Sequence, residues 1–114
     1  MTNPLRGEIE ITLGSETYKA RLNIDALVRI EDELDSGILK LASRIAQADV
    51  RLRELIVVLK AALRGGGNDF DDKKVGKIIS DIGIVAASTE VAKLLAQTLS
   101  DPDGEEEGKS QQVA

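Results

Sequence analysis

The 114-residue chain contains no cysteine, no histidine and no tryptophan. Without cysteine there are no disulfides and no thiolate nucleophiles. Without histidine as well, imidazole bases and zinc sites built on Cys or His are excluded. Tyr18 and Phe70 are the only aromatic residues, so any core must be aliphatic. A chain of this length buries roughly 65% of its unfolded surface, enough for a core without covalent staples. Catalysis is left with carboxylates, lysine, arginine, Tyr18 and hydroxyls, and no nucleophile–base pair stands out among them. The expectation is a protein that is not an enzyme and has no cofactor, catalytic or metal site.

Long apolar runs are also missing. The longest, Leu55–Leu59 and Gly83–Ala87, fall far short of the ~20 residues a membrane helix needs. The opening Met-Thr-Asn-Pro lacks a basic region followed by an apolar stretch, so no signal peptide is read and the expected compartment is a cytoplasm. The net charge of −5 is unevenly placed. Residues 101–114 hold five acids against Lys109, while the rest of the chain carries 15 acids and 14 bases. No stripe of Lys and Arg offers a phosphate grip, so nucleic acid is not an expected partner.

Proline occurs only at Pro4 and Pro102, and nothing between them breaks a helical body by ring geometry. What is present is clear periodicity. Residues 8–13 alternate Glu8, Glu10 and Thr12 with Ile9, Ile11 and Leu13, and residues 18–22 repeat the pattern across Gly14-Ser15-Glu16-Thr17. This reads as an antiparallel β-hairpin over 8–23 with one apolar face. If Leu13 faces Tyr18, Glu10 faces Arg21, a favourable cross-strand pair. Two strands alone are marginal in water, so the hairpin must lie on helices.

Helical spacing follows Asn23, a suitable N-cap. Ile24, Leu27, Ile30 and Leu34 mark a first helix over about 24–35, and Ile38, Leu41 and Ile45 a second over 38–47. Asp49 would cap a third over 50–64, with Leu52, Leu55, Ile56, Leu59 and Leu63 on one stripe. Val57 and Val58 make that helix apolar almost all round, which places it at the centre of the core. The Gly65-Gly66-Gly67 triplet ends it. Asp69 or Asp71 opens a fourth over 71–82, with Val75, Ile78, Ile79 and Ile82 inward and Gly83 as C-cap. Gly76 inside it would cost ~1 kcal/mol relative to alanine. A fifth spans 84–100, with Ile84, Ala87, Val91, Leu94, Leu95 and Thr98 or Leu99 in register. The fold class is α+β: a hairpin packed on a bundle of four to five helices, one folded domain over 1–100. The acidic tail 101–114 has too little apolar content to order itself.

Four clusters invite functional readings. Glu31, Asp32, Glu33 and Asp35 could be a cation site, but consecutive helical positions fan round the axis, so a solvated face is the better reading. Asn68–Asp72 fails the spacing of a calcium loop and reads as helix capping. Gly108-Lys109-Ser110 resembles the end of a phosphate loop, but the required earlier glycine is Asp103. Arg64 with the glycine amides could hold an anion, although an arginine there more simply answers the helix dipole. Residues 75–95 also suggest a helix-turn-helix regulator. The bulky Ile79, the absence of arginine and an Ala- and Thr-rich outer face speak against it.

The ordered pieces resemble a family of small phage-tail and gene-transfer-agent proteins. The resemblance runs from Asn3-Pro4-Leu5-Arg6-Gly7-Glu8 through the hairpin with Gly14 and Tyr18 to Leu22-Asn23-Ile24, Leu27, Ile30 and Glu31. It closes on Leu55-Ile56-Val57-Val58-Leu59 and Leu63-Arg64-Gly65-Gly66-Gly67. Members are described both as tail tube proteins and as tail assembly chaperones. About a dozen strand residues against about sixty helical ones cannot line a β-rich tube, which favours the chaperone. That role implies holding a tape-measure or other tail protein soluble in the bacterial host, with several copies along one client. The candidate contacts are Val91, Leu94, Leu95 and Leu99 on the last helix, provided that its stripe is left uncovered. A structural tail component, residing in the particle, is the alternative.

Overall fold

The computed structural model describes residues 7–100. The acidic stretch 101–114 and Gly108-Lys109-Ser110 lie outside the described residues. Two strands, β1 (Ile9–Leu13) and β2 (Glu16–Ala20), precede five helices: α1 (Ile24–Leu34), α2 (Ile38–Ala46), α3 (Leu52–Gly65), α4 (Asp72–Ile82) and α5 (Ile84–Ser100). The hairpin-on-helices architecture is therefore the one the periodicity implies.

The hairpin register differs from the expected one. Leu13 pairs with Glu16, Ile11 with Tyr18 and Glu10 with Lys19, not Arg21. Only Gly14 and Ser15 form the turn, and Gly14 takes φ +72, which glycine adopts without strain. The four polar residues look like one loop, but two of them belong to β2. The slip is two residues, so every side chain keeps its face. Ile11, Leu13, Ala20 and Leu22 remain buried.

α1 starts as expected at Asn23, whose side chain accepts a hydrogen bond from the Ala26 amide at 2.9 Å. α4 is capped by Asp71, which accepts from the Lys74 amide at 2.8 Å. Asp49 does not cap α3. The N-cap is Arg51, whose backbone N–H donates to the Glu54 carboxylate at 2.8 Å, and Asp49 turns instead to Arg44. The cap thus comes from inside the helix, the reach-back half of a capping box.

α3 runs through the middle, packed by α1, α4, α5 and β2. Leu55, Val58, Leu59, Ala62 and Leu63 are completely buried. The glycine triplet does more than end this helix. A Cβ on Gly65 or Gly66 would fall well inside van der Waals contact of the Arg21 or Lys19 carbonyl oxygen. The end of β2 therefore lies directly against the helix backbone, where the Arg21 amide donates to the Ala62 carbonyl at 2.8 Å. Asn68 adds a side-chain bond from Nδ2 to the Lys19 carbonyl, 2.8 Å. The two aromatic residues reinforce this seam, Tyr18 meeting Phe70 edge-on at 5.7 Å between ring centroids.

Candidate functional site

The stripe expected to meet a partner is spent on the core. Val91, Leu94 and Leu95 are buried against the rest of the aliphatic cluster, and Leu99 is half-buried against it. The cause is α2, which lies along α5 and covers it, while α3, α4 and β1 pack around the remainder. Periodicity identified an apolar face on α5 but carried no signal for what lies over it.

The aliphatic side chains left in solvent are elsewhere. Ile24 is 73% exposed and Val28, one turn later on α1, is also exposed. Leu39 on α2 and Val85 at the start of α5 stand out at 71% and 70%. Ile24, Leu52 and Ile84 each sit on the expected inward stripe, yet each is the first residue of its helix and is exposed. Ile24 borders a groove of about 380 Å³ between the base of the hairpin, the start of α1 and the end of α5. Its walls include Ile9, Leu22 and Leu27, with Gln97 and Thr98 opposite. The Thr98 hydroxyl is buried and has no hydrogen-bond partner among the described residues.

A second groove, between α1 and α3, is charged. Arg53 pairs with Glu33 at 3.1 Å and Lys60 with Asp72 at 2.9 Å, both at its edges. The most enclosed ion pair lies between α2 and α3. Arg44 grips Glu54 with two hydrogen bonds of 3.0 and 2.9 Å while Glu54 also accepts from the Arg51 amide. The Arg44 guanidinium, helped by that amide and opposed by burial, holds the Glu54 carboxyl below the usual carboxylate range. Nothing in the sequence singled this pair out, because its partners are ten residues apart on different helices.

The acidic cluster of α1 disperses. Glu31 reaches across to accept the Ile38 amide at 2.8 Å, capping α2, whose N-cap Gly37 has no side chain to do so. Glu33 takes Arg53, and Asp35 adopts the left-handed conformation that closes α1. No group of three or more metal-ligating side chains converges among the described residues. The glycine amides cannot hold an anion beside Arg64. Gly66, Gly67 and Asn68 all donate to α3 carbonyls, and Arg64 meets Asp69 at 3.8 Å. The arrangement of α4 and α5 is not a helix-turn-helix either. One residue, Gly83, separates them where that motif uses a turn of three or four, and Lys93 is paired with Glu90. No helix among the described residues is long and apolar enough to cross a membrane.

The arrangement defines a small α+β protein, a hairpin laid on five helices, with exposed aliphatic side chains and surface ion pairs as its main outward features. The chain belongs to the phage tail protein family described as "Phage tail tube protein, GTA-gp10", which it matches over residues 6–101. Neither a curated protein nor a solved structure matches it.

Proposed function

We propose that this chain is a tail assembly chaperone, a non-enzymatic protein that keeps the long helical tape-measure protein soluble in the host cytoplasm until tube subunits assemble on it. The observation that carries this reading is the balance of elements. Among the described residues, two five-residue strands make up the sheet, while five helices supply the body. A tube needs continuous β pairing from subunit to subunit around a ring, and this hairpin has too few strands to line one.

The mechanism requires only burial. Ile24 and Val28 lie one above the other on α1, the spacing by which one helix presents itself to another. An amphipathic client helix covering them would remove aliphatic surface from water on both partners, at about 25 cal/mol per Å² buried. Of Val91, Leu94, Leu95 and Leu99 on α5, only Leu99, which is half-buried, can add to this surface. Acidic residues 101–107 would keep a loaded complex soluble through net charge.

The family description fits a second reading, a structural tube component, equally well. Co-expression separates the two. The chaperone should bring the longest helical tail protein encoded nearby into the soluble fraction, and Ile24→Asp with Val28→Asp should abolish that recovery without unfolding the carrier. Retention by residues 1–100 would place binding in the folded body. A client soluble on its own, with this chain recovered stoichiometrically in purified particles, would establish the tube component instead.

A further inference from the structure

The two edges of the hairpin are treated differently. In the observed register, Leu13–Glu16, Ile11–Tyr18 and Ile9–Ala20 are the pairs that exchange backbone hydrogen bonds. The N–H and C=O groups of Thr17, Lys19 and Arg21 therefore point away from β1. Two of those groups are taken by α3 and its following loop: the Lys19 carbonyl accepts from Asn68 and the Arg21 amide donates to Ala62. The same alternation turns the backbone of Glu8, Glu10 and Thr12 outward along β1. Among the described residues, none of these groups has a hydrogen-bond partner. No bulge interrupts the strand and no proline occupies it. A straight, unpaired edge of this kind is a template for another strand.

We propose that the β1 edge is a strand-addition site for an extended segment of another protein, one carrying lysine or arginine at alternate positions with aliphatic residues between. Charge selects this occupant. Glu10 and Thr12 form the outward row of β1, with half-exposed Glu8 just before it, and the chain's own β2 already answers Glu10 with Lys19 directly opposite. A strand added on the free side places its own side chains within cross-strand reach of Glu8 and Glu10. A second copy is a poor occupant. Its β1 would bring Glu8 and Glu10 against the same acids, and its β2 edge is blocked at Lys19 and Arg21 by Asn68 and Ala62. This site is separate from the aliphatic surface of α1 and does not depend on the client being helical.

The test uses the full chain and two synthetic probes, acetyl-Val-Lys-Val-Lys-Val-Lys-Val-amide and its glutamate counterpart. Binding is followed by hydrogen exchange at the Glu10 and Thr12 amides. The lysine peptide should bind and protect both amides, and the glutamate peptide should not. Thr12→Pro removes an outward N–H that β2 does not use, and Glu10→Lys reverses the charge. Each should weaken the lysine peptide at least about tenfold while leaving the far-UV spectrum unchanged. Glu10→Lys should in addition gain the glutamate peptide. Equal affinity of Thr12→Pro and the parent would overturn the proposal. So would protection already present in the free chain that is lost in residues 7–100, or protection that grows with protein concentration. The first would make the chain's own end the occupant, and the second another copy.

Discussion

Glycine illustrates how far one residue's role depends on what approaches it. At Gly76 an added methyl would meet only the tip of Ile56, at 3.9 Å. Gly76→Ala should therefore stabilise the protein by up to about 1 kcal/mol through helix propensity alone. At Gly65 and Gly66 the same change drives a Cβ into the carbonyl oxygen of Arg21 or Lys19. Either alanine variant should cost about 3 kcal/mol or more, because backbone on both sides must move. Urea unfolding of the three variants checks the contrast directly. The sequence marked the Gly65-Gly66-Gly67 triplet as a helix end, but composition cannot tell a helix end from a place where two backbones touch. Glu54 is a second case. Its pKa is depressed in the fold, so the unfolded chain takes up the proton at higher pH. The stabilisation is therefore complete above the ordinary carboxylate value of 4.5 and is lost as pH falls through the lower folded value. Glu54→Gln should lower stability at neutral pH by about 1–3 kcal/mol and flatten the acid limb of a stability–pH profile.

Between elements, the ends proved less legible than the middles. Each helix announced itself because its apolar positions recur at helical spacing. The first-turn positions Ile24, Leu52 and Ile84 carry the same spacing and yet are exposed, because spacing alone does not report what packs against a helix end. The exposed aliphatic surface was hidden in the sequence for that reason. The same limit applies to α5, where periodicity supplied the stripe and only the path of α2 decided that it is covered. Leu94→Ala should accordingly cost about 2–5 kcal/mol, as for a core leucine, whereas Ile24→Ala should stay within about 0.5 kcal/mol. Denaturation midpoints for the pair distinguish core from surface. The cap on α2 was equally out of view, because Glu31 belongs to the preceding helix. Glu31→Ala should lower stability by about 1 kcal/mol and speed amide exchange at Ile38, while exposed Asp32→Ala should do neither.

For the molecule as a whole, hairpin and helices share one aliphatic cluster, so neither has a core of its own to fall back on. Unfolding should be a single transition, with helix and hairpin signals superimposing in urea; separated midpoints would show that β1 and β2 detach first. The α+β class was legible because the switch from alternation to helical spacing falls at one point, Asn23, where the capping side chain also sits. The register was not, because Glu16 and Thr17 suit a turn as well as a strand. The edge-on contact of Tyr18 with Phe70 gives such an experiment its reporter. Tyr18 is the only tyrosine and tryptophan is absent, so emission excited in the tyrosine band, where phenylalanine does not absorb, comes from a single ring placed where β2 meets the loop leading to α4. The protein carries, in effect, one intrinsic optical label at the joint between its two structural types, and any event that loosens that joint should change its brightness without an added dye.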